Sequence, residues 1–234
     1  MLLKTKKLMK AFGGLKAINK VDFELPANEI RGIIGPNGSG KSTFFNLVSG
    51  VYEPDPGSYI EFDGKDITNE PPHKVGELGL ARTFQLLRLY QDMSVINNVM
   101  SGYHTLVPYS FIDAVTGRKK IWDQEKNIKE EMMELLSFVG LADYAELNAS
   151  ELSGGQRRLL VLARAIAGKP KLLMLDEPAA GLSPVNVDNL MKILMRLKEK
   201  YGLTLIIIEH ILKVVMDTCS KVTVLDHGEK IAEG

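Results

Sequence analysis

The spacing of apolar residues changes several times along this chain, and each change predicts an element. Residues 30–34, 171–175 and 203–208 are short, almost continuous apolar runs, the pattern of strands buried on both faces. Residues 2–9 and 17–25 also read as strands, the second through Ile18, Val21, Phe23 and Leu25. Residues 59–62 form a short strand before Asp63-Gly64, a strong hairpin signal, and 222–225 and 229–232 pair over Asp226-His227-Gly228. Residues 50–56 read as turn, and Pro71-Pro72 and 76–79 break the chain again.

Elsewhere the period is helical. A helix begins at 44–48, and Ser94 caps one through Val95, Val99 and Met100. Ile128, Met132, Leu135, Leu136 and Val139 mark an amphipathic helix. Ser153 caps a helix through Leu159, Leu160, Leu162, Ala163 and Ile166, which ends at Gly168 and Pro170. Pro184, after Ser183, opens a helix through Leu190, Ile193, Leu194 and Leu197 that Gly202 stops, and 211–216 reads as another. The segment 103–122, with Tyr103, Tyr109, Phe111 and Trp122, reads as a loop with local helix. This pattern predicts an α/β core from 1–85 and 151–234, with a helical lobe inserted at 86–150.

Composition narrows the classes without choosing one. The 234 residues are 45% hydrophobic and 25% charged, an ordinary globular balance. Lys+Arg and Asp+Glu both number 29, so no overall basic field argues for nucleic acid. The single cysteine, Cys219, forbids an internal disulfide and fits a reducing compartment. No signal-peptide pattern is visible, and no apolar run approaches a bilayer span. The expectation is a soluble chain that meets a membrane only through a partner.

The chemistry concentrates at Gly35-Pro36-Asn37-Gly38-Ser39-Gly40-Lys41-Ser42-Thr43, between a buried strand and a helix. Strand, glycine loop and helix are the context of a phosphate-binding P-loop. The glycines let the backbone curl with φ > 0 and approach a ligand closely. The curled loop gathers N–H groups, and the helix adds the positive end of its dipole. Lys41 reaches the β and γ phosphates as a point charge, and the Ser42 hydroxyl suits Mg²⁺. Two other features take on weight beside it. Asp176-Glu177 ends an apolar strand, where α/β folds place ligand chemistry. Leu152-Ser153-Gly154-Gly155-Gln156 sets small residues before a helix N-terminus, a second anion site or simply an N-cap with close packing. Phe12, beside Gly13-Gly14, reads either as a platform for a purine or as a hydrophobic plug.

Together these pieces resemble the ATP-binding subunit of an ATP-binding-cassette (ABC) transporter, over nearly the whole chain. Residues 35–43 match the Walker A loop, Gln85 the Q-loop glutamine, and 152–156 the LSGGQ signature without a change. Residues 172–176 followed by Glu177 match Walker B and the catalytic glutamate, 181–183 the D-loop, and His210 the switch histidine. Phe12 stands where the family has its adenine-stacking aromatic. Within the family the chain is most similar to branched-chain amino-acid importers, on 12–17, 82–85, the long insert after Gln85 and 177–182; urea and amide importers share these features. Ser183 stands where many relatives carry aspartate, and the C-terminal helix the family has after the last hairpin is absent, so the chain is naturally short or cut.

The resemblance implies a P-loop NTPase fold of the ABC-ATPase kind: a RecA-like core sheet, an antiparallel β subdomain and an inserted helical subdomain. It implies ATP and Mg²⁺ as ligands. Phe12, Ala17, Asn37, Gly38, Ser39, Gly40, Lys41, Ser42 and Thr43 would bind the nucleotide from one chain. Ser153, Gly154, Gly155 and Gln156 would bind it from a second chain, head to tail. Ser42, Gln85 and Asp176 would hold the metal, and Glu177, His210 and Gln85 would act in hydrolysis. It further implies membrane permease subunits, indirectly a solute-binding protein, no nucleic acid, and a place on the cytoplasmic face of the cell membrane. A non-transport ABC ATPase would carry coiled-coil insertions, tandem cassettes or basic arms, and none is visible. A small-molecule P-loop kinase would have no use for residues 152–156 or His210, and a non-hydrolysing scaffold no use for Glu177.

Overall fold

The computed structural model describes residues 1–83, 89–103 and 119–234, without the side chains of 119–125. The chain forms two compact units, Met1–Gln85 with Lys171–Gly234 and Leu86–Pro170.

The first unit holds two sheets. One is antiparallel, in the order β2-β1-β4-β5, from β1 (Leu3–Phe12), β2 (Leu15–Leu25), β4 (Tyr59–Phe62) and β5 (Lys65–Asp66). The expected hairpin at Asp63-Gly64 forms with φ of 50° and 75°, the paired positive values of a tight turn matched to strand twist. The other sheet has the order β10-β9-β3-β8-β7-β6. Its parallel strands are β3 (Ile30–Ile34), β6 (Leu80–Arg82), β7 (Leu172–Asp176), β8 (Thr204–Ile208) and β9 (Lys221–Asp226), with β10 (Glu229–Glu233) antiparallel at the edge. Every residue of β7 and β8 is buried, as the continuous apolar runs require. Strand β6 went unread because three residues carry no period; it exists by pairing with β7.

Helix α1 (Lys41–Val48) follows β3 and buries Phe44 and Phe45, with Phe23 edge-on to Phe44 at 5.1 Å. Truncating either phenylalanine to alanine costs about 3–5 kcal/mol in such a core. A short helix α2 (Pro72–Glu77) occupies the Pro-rich break, with proline in its first turn, where the missing N–H loses nothing. Helix α6 (Pro184–Tyr201) is capped by Ser183, whose hydroxyl accepts the Asn186 N–H, and stops at Gly202 with φ of 62°. Helix α7 (Leu212–Thr218) precedes β9.

The second unit is helical: α3 (Val95–Tyr103), α4 (Lys119–Val139) and α5 (Gly154–Ala167) pack on one another. One difference from the sequence reading appears here: the unit runs to Pro170 rather than 150, because α5 packs on α3 and α4. Tyr103 ends α3 and 119–122 open α4, so both ends of the 103–122 segment are helical. The helix starts ahead of its apolar stripe because residues 119–127 are mostly good helix formers, whatever their polarity. Gln85, Tyr109 and Phe111 lie outside the described residues.

Candidate active site

Strand register places the site. Ile33 of β3 pairs with Ile208 of β8, and Ile208 with Asp176 of β7, so three strand ends stand in one row. The residues just beyond that row are the glycine loop, Glu209-His210 and Glu177. Parallel strands present such ends to a common side, where ligands bind in α/β folds.

The loop is shaped by its glycines and by what lies behind them. Gly40, at φ of 101°, is so close to the backbone that a Cβ there would meet the Ala17 carbonyl oxygen at 2.4 Å. At Gly35 a Cβ would meet the Leu225 carbonyl at 2.1 Å. The turn between β9 and β10 buttresses the loop, with Gly228 N–H donating to the Ser39 carbonyl at 3.1 Å and the Gly228 carbonyl accepting from Asn19 N–H at 2.8 Å. Ala17 therefore contributes a backbone wall to the loop. Gly38, by contrast, faces open space, as do the exposed Asn37 and Ser42.

Lys41 is 6% exposed and folds back into the loop, donating to the Gly35 and Pro36 carbonyls at 2.8 Å each. Burial pushes its ammonium down, against the pull of Glu177 and Asp176, which places both carboxylates within electrostatic reach. Helix α1 has no side-chain cap and no acidic residue in its first turn, so its first N–H groups are left for a ligand. A buried cation, an uncapped helix end and an open concavity fit a polyphosphate. Ser39 is 1% exposed, with its hydroxyl toward Lys41 at 3.4 Å and its N–H donating to the Pro36 carbonyl. Its side chain shapes the loop, and its N–H and carbonyl are both engaged within the protein.

Asp176 is buried beside Arg82, with Nη2 and Oδ2 3.4 Å apart. Burial pushes the Asp176 carboxyl up, and the guanidinium pulls it back. Arg82 also donates to Asn46 Oδ1 at 2.6 Å and lies over the Phe45 ring. Among the described residues no three His, Cys, Asp or Glu side chains gather as a metal site. The hard oxygens of Ser42 and Asp176 still fit Mg²⁺, which keeps waters and takes substrate phosphates as ligands.

Glu177 sits at φ of 49°, sparsely populated for a residue with a Cβ and a mark of functional sites. Its N–H donates to the Ile208 carbonyl at 2.9 Å, and its Oε1 lies 2.9 Å from His210 Nε2. Phe12 is 44% exposed at the end of β1, edge-on to Tyr52 at 5.4 Å with Lys10 Nζ 5.6 Å from its ring centre. The ring is therefore not a buried plug, and its exposed surface is open to stacking.

In the helical unit, Ser153 caps α5 by accepting the Gln156 N–H, and the Gln156 side chain accepts the Ser153 N–H at 2.9 Å. This capping box is the plain structural reading of the signature. It leaves the Ser153 hydroxyl proton available to donate, and Ser153 and Gly154 are exposed.

The structure thus brings Lys41, Asp176, Glu177 and His210 together in one unit, with Ala17 behind the loop. Sequence reasoning missed Arg82, Asn46, Tyr52 and Glu209 as parts of this site. Only Glu209, a carboxylate ending an apolar strand beside His210, carried a signal in the sequence.

Residues 18–180 match the family described as ABC transporter. The chain is 41% identical to a probable branched-chain amino acid transport ATP-binding protein LivG of Archaeoglobus fulgidus, covering 100% of this chain and 89% of that one. It is 34% identical to the high-affinity LivG of Escherichia coli K12, covering 100% and 91%. Among solved structures it resembles the ADP conformation of an ATP-binding cassette of an ABC transporter, at a TM-score of 0.85 and 35% identity over 100% of this chain and 90% of that one.

Proposed function

The chain belongs to the ABC transporter family and is its ATP-hydrolysing component, and from that premise we propose that it powers import of branched-chain amino acids, with the residues above as its machinery. Full-length similarity to branched-chain amino acid transport ATP-binding proteins supports the solute class. The observation that carries the mechanism is the Glu177–His210 pair beside the Lys41 loop.

Lys41 turns from the Gly35 and Pro36 carbonyls to the β and γ phosphates of ATP when the loop fills. Phe12 stacks on the base. Glu177 orients the attacking water and accepts its proton, and His210 turns its ring N–H from Glu177 to the γ phosphate when ATP binds. Mg²⁺, held by Ser42, Asp176 and Gln85, would neutralise charge on the phosphates. Ser153 and Gly155 of a second cassette close the site, because a cap serine retains its hydroxyl donor. ATP then joins two cassettes, hydrolysis releases them, and permease subunits in the membrane convert the motion to transport. Among the described residues no helix is long and apolar enough to cross a membrane; the proposed place, on the inner membrane face, rests on the family's permease partners.

The test is Glu177→Gln with saturating ATP and Mg²⁺, which keeps shape but removes the base. It should give a stable dimer by size-exclusion chromatography with light scattering, and Ser153→Arg should abolish that dimer. A monomer with bound ATP would refute the two-chain site. Co-purification with the permease, followed by identification of the binding protein's ligand, tests the solute.

A further inference from the structure

Glu209 is the most deeply buried acidic side chain described in this unit, 2% exposed, and the mechanism above does not use it. No lysine, arginine or histidine forms an ion pair with it among the described residues. Its carboxylate is held by backbone instead. Oε1 accepts the Ala179 N–H at 2.6 Å, Oε2 accepts the His210 N–H at 3.2 Å, and the Ile211 N–H also donates to it. Burial pushes this carboxyl up, the three N–H groups pull it down, and Glu177 adds like-charge repulsion. An apolar residue of the same size would avoid the cost of a buried charge, but would orphan the Ala179 and His210 N–H groups.

The positions of those N–H groups give the cost a use. Ala179 lies two residues after Glu177, in the turn that follows β7, while His210 and Ile211 belong to the turn that follows β8. One side chain therefore ties the turn carrying the base to the turn carrying the histidine. Glu177 itself stands at a positive φ, which persists only where the surroundings over-determine it. Two anchors meet that need: its own N–H on the Ile208 carbonyl and the Ala179 N–H on Glu209. We propose that Glu209 is a positioning residue for ATP hydrolysis, a buried acceptor that sets the Glu177 backbone and the Glu177–His210 distance together. The inference rests on the ATPase reading of this site.

The experiment uses the purified chain, its Glu209→Gln variant and, as a control for lost stability, Val214→Ala at a buried position of helix α7. The amide variant keeps one acceptor oxygen but turns an NH₂ group toward a backbone N–H. Glu209→Gln should lower kcat about 10- to 100-fold, the effect of a small displacement of reacting groups. The ATP dissociation constant should stay within about threefold, since the phosphate loop is on another element. Val214→Ala should lower Tm and leave kcat near wild type. Hydrogen exchange at the Ala179 and His210 amides should quicken in Glu209→Gln, a readout independent of turnover. Unchanged exchange at both amides overturns the staple whether or not the chain hydrolyses ATP. So does a kcat loss no larger than that of Val214→Ala, or one matched by an equal loss of ATP affinity. A wild-type chain that binds but does not hydrolyse ATP, with exchange quickened as predicted, would refute the ATPase reading alone.

Discussion

Lys41→Met isolates the charge at the centre of the loop, because it keeps the length of the apolar stem. Without nucleotide the ammonium, 6% exposed, donates to the Gly35 and Pro36 carbonyls at 2.8 Å. Its removal loses two charge-assisted bonds but also the cost of burying the ion, which the downward push on its pKa records. These oppose one another, so the nucleotide-free variant should unfold within about 2 kcal/mol of wild type. For a chain of this size that is about 4–8 °C in Tm. With ATP the balance changes, since a buried charge facing phosphate has no apolar substitute, and losing it costs about 2–5 kcal/mol of binding. That is a rise in dissociation constant of about 30- to 4000-fold. At ATP 100 times the wild-type constant, ligand stabilises wild type by about 2.7 kcal/mol, or about 5–11 °C. A variant weakened thirtyfold keeps about 0.9 kcal/mol, or about 2–4 °C. Thermal unfolding with and without ATP and Mg²⁺ reads both numbers, and turnover should fall to background. A variant with the wild-type ATP shift would refute the assignment of Lys41 to the phosphates.

Two further outcomes follow from the loop and from Glu209. Gly40→Ala should be far worse than Gly38→Ala: the first adds a Cβ 2.4 Å from a backbone carbonyl, the second adds one in open space and costs only the strain of its positive φ, about 1–2 kcal/mol. Equal Tm losses in the two would show that the Ala17 wall does not constrain the loop. The Glu209 carboxyl is raised above its ordinary 4.5 in the fold. Its contribution therefore favours the folded state below that pH and is lost as pH rises through the raised value. The stability of wild type relative to Glu209→Gln should accordingly fall as pH climbs from about 4.5, and a flat difference across acid pH would contradict the burial argument.

Much of the site was legible because its chemistry is local. A nine-residue loop between a buried strand and a helix needs only its own glycines, lysine and hydroxyl to be recognised. The unread strand β6 and helix α2 are three and six residues long, too short to show a period. The inserted lobe was placed by its helical period, but its end was set too early, since α5 carries an apolar face that suits either unit until its partners are known.

The sequence by itself determined the types of the longer elements, the P-loop and its lysine, the strand-end carboxylates, and the family, each written in neighbouring residues or in period. Only tertiary structure decided what stands behind those residues. That Ala17 and Leu225 carbonyls wall the glycine loop depends on strands far apart in the chain. That Arg82 faces Asp176 depends on β6 pairing with β7, and that Glu209 holds Ala179 depends on β7 lying in register with β8. Glu209 ended an apolar strand in plain view, but its partners are backbone N–H groups. Every residue type carries those except proline, so no pattern of side chains announces where they will be met.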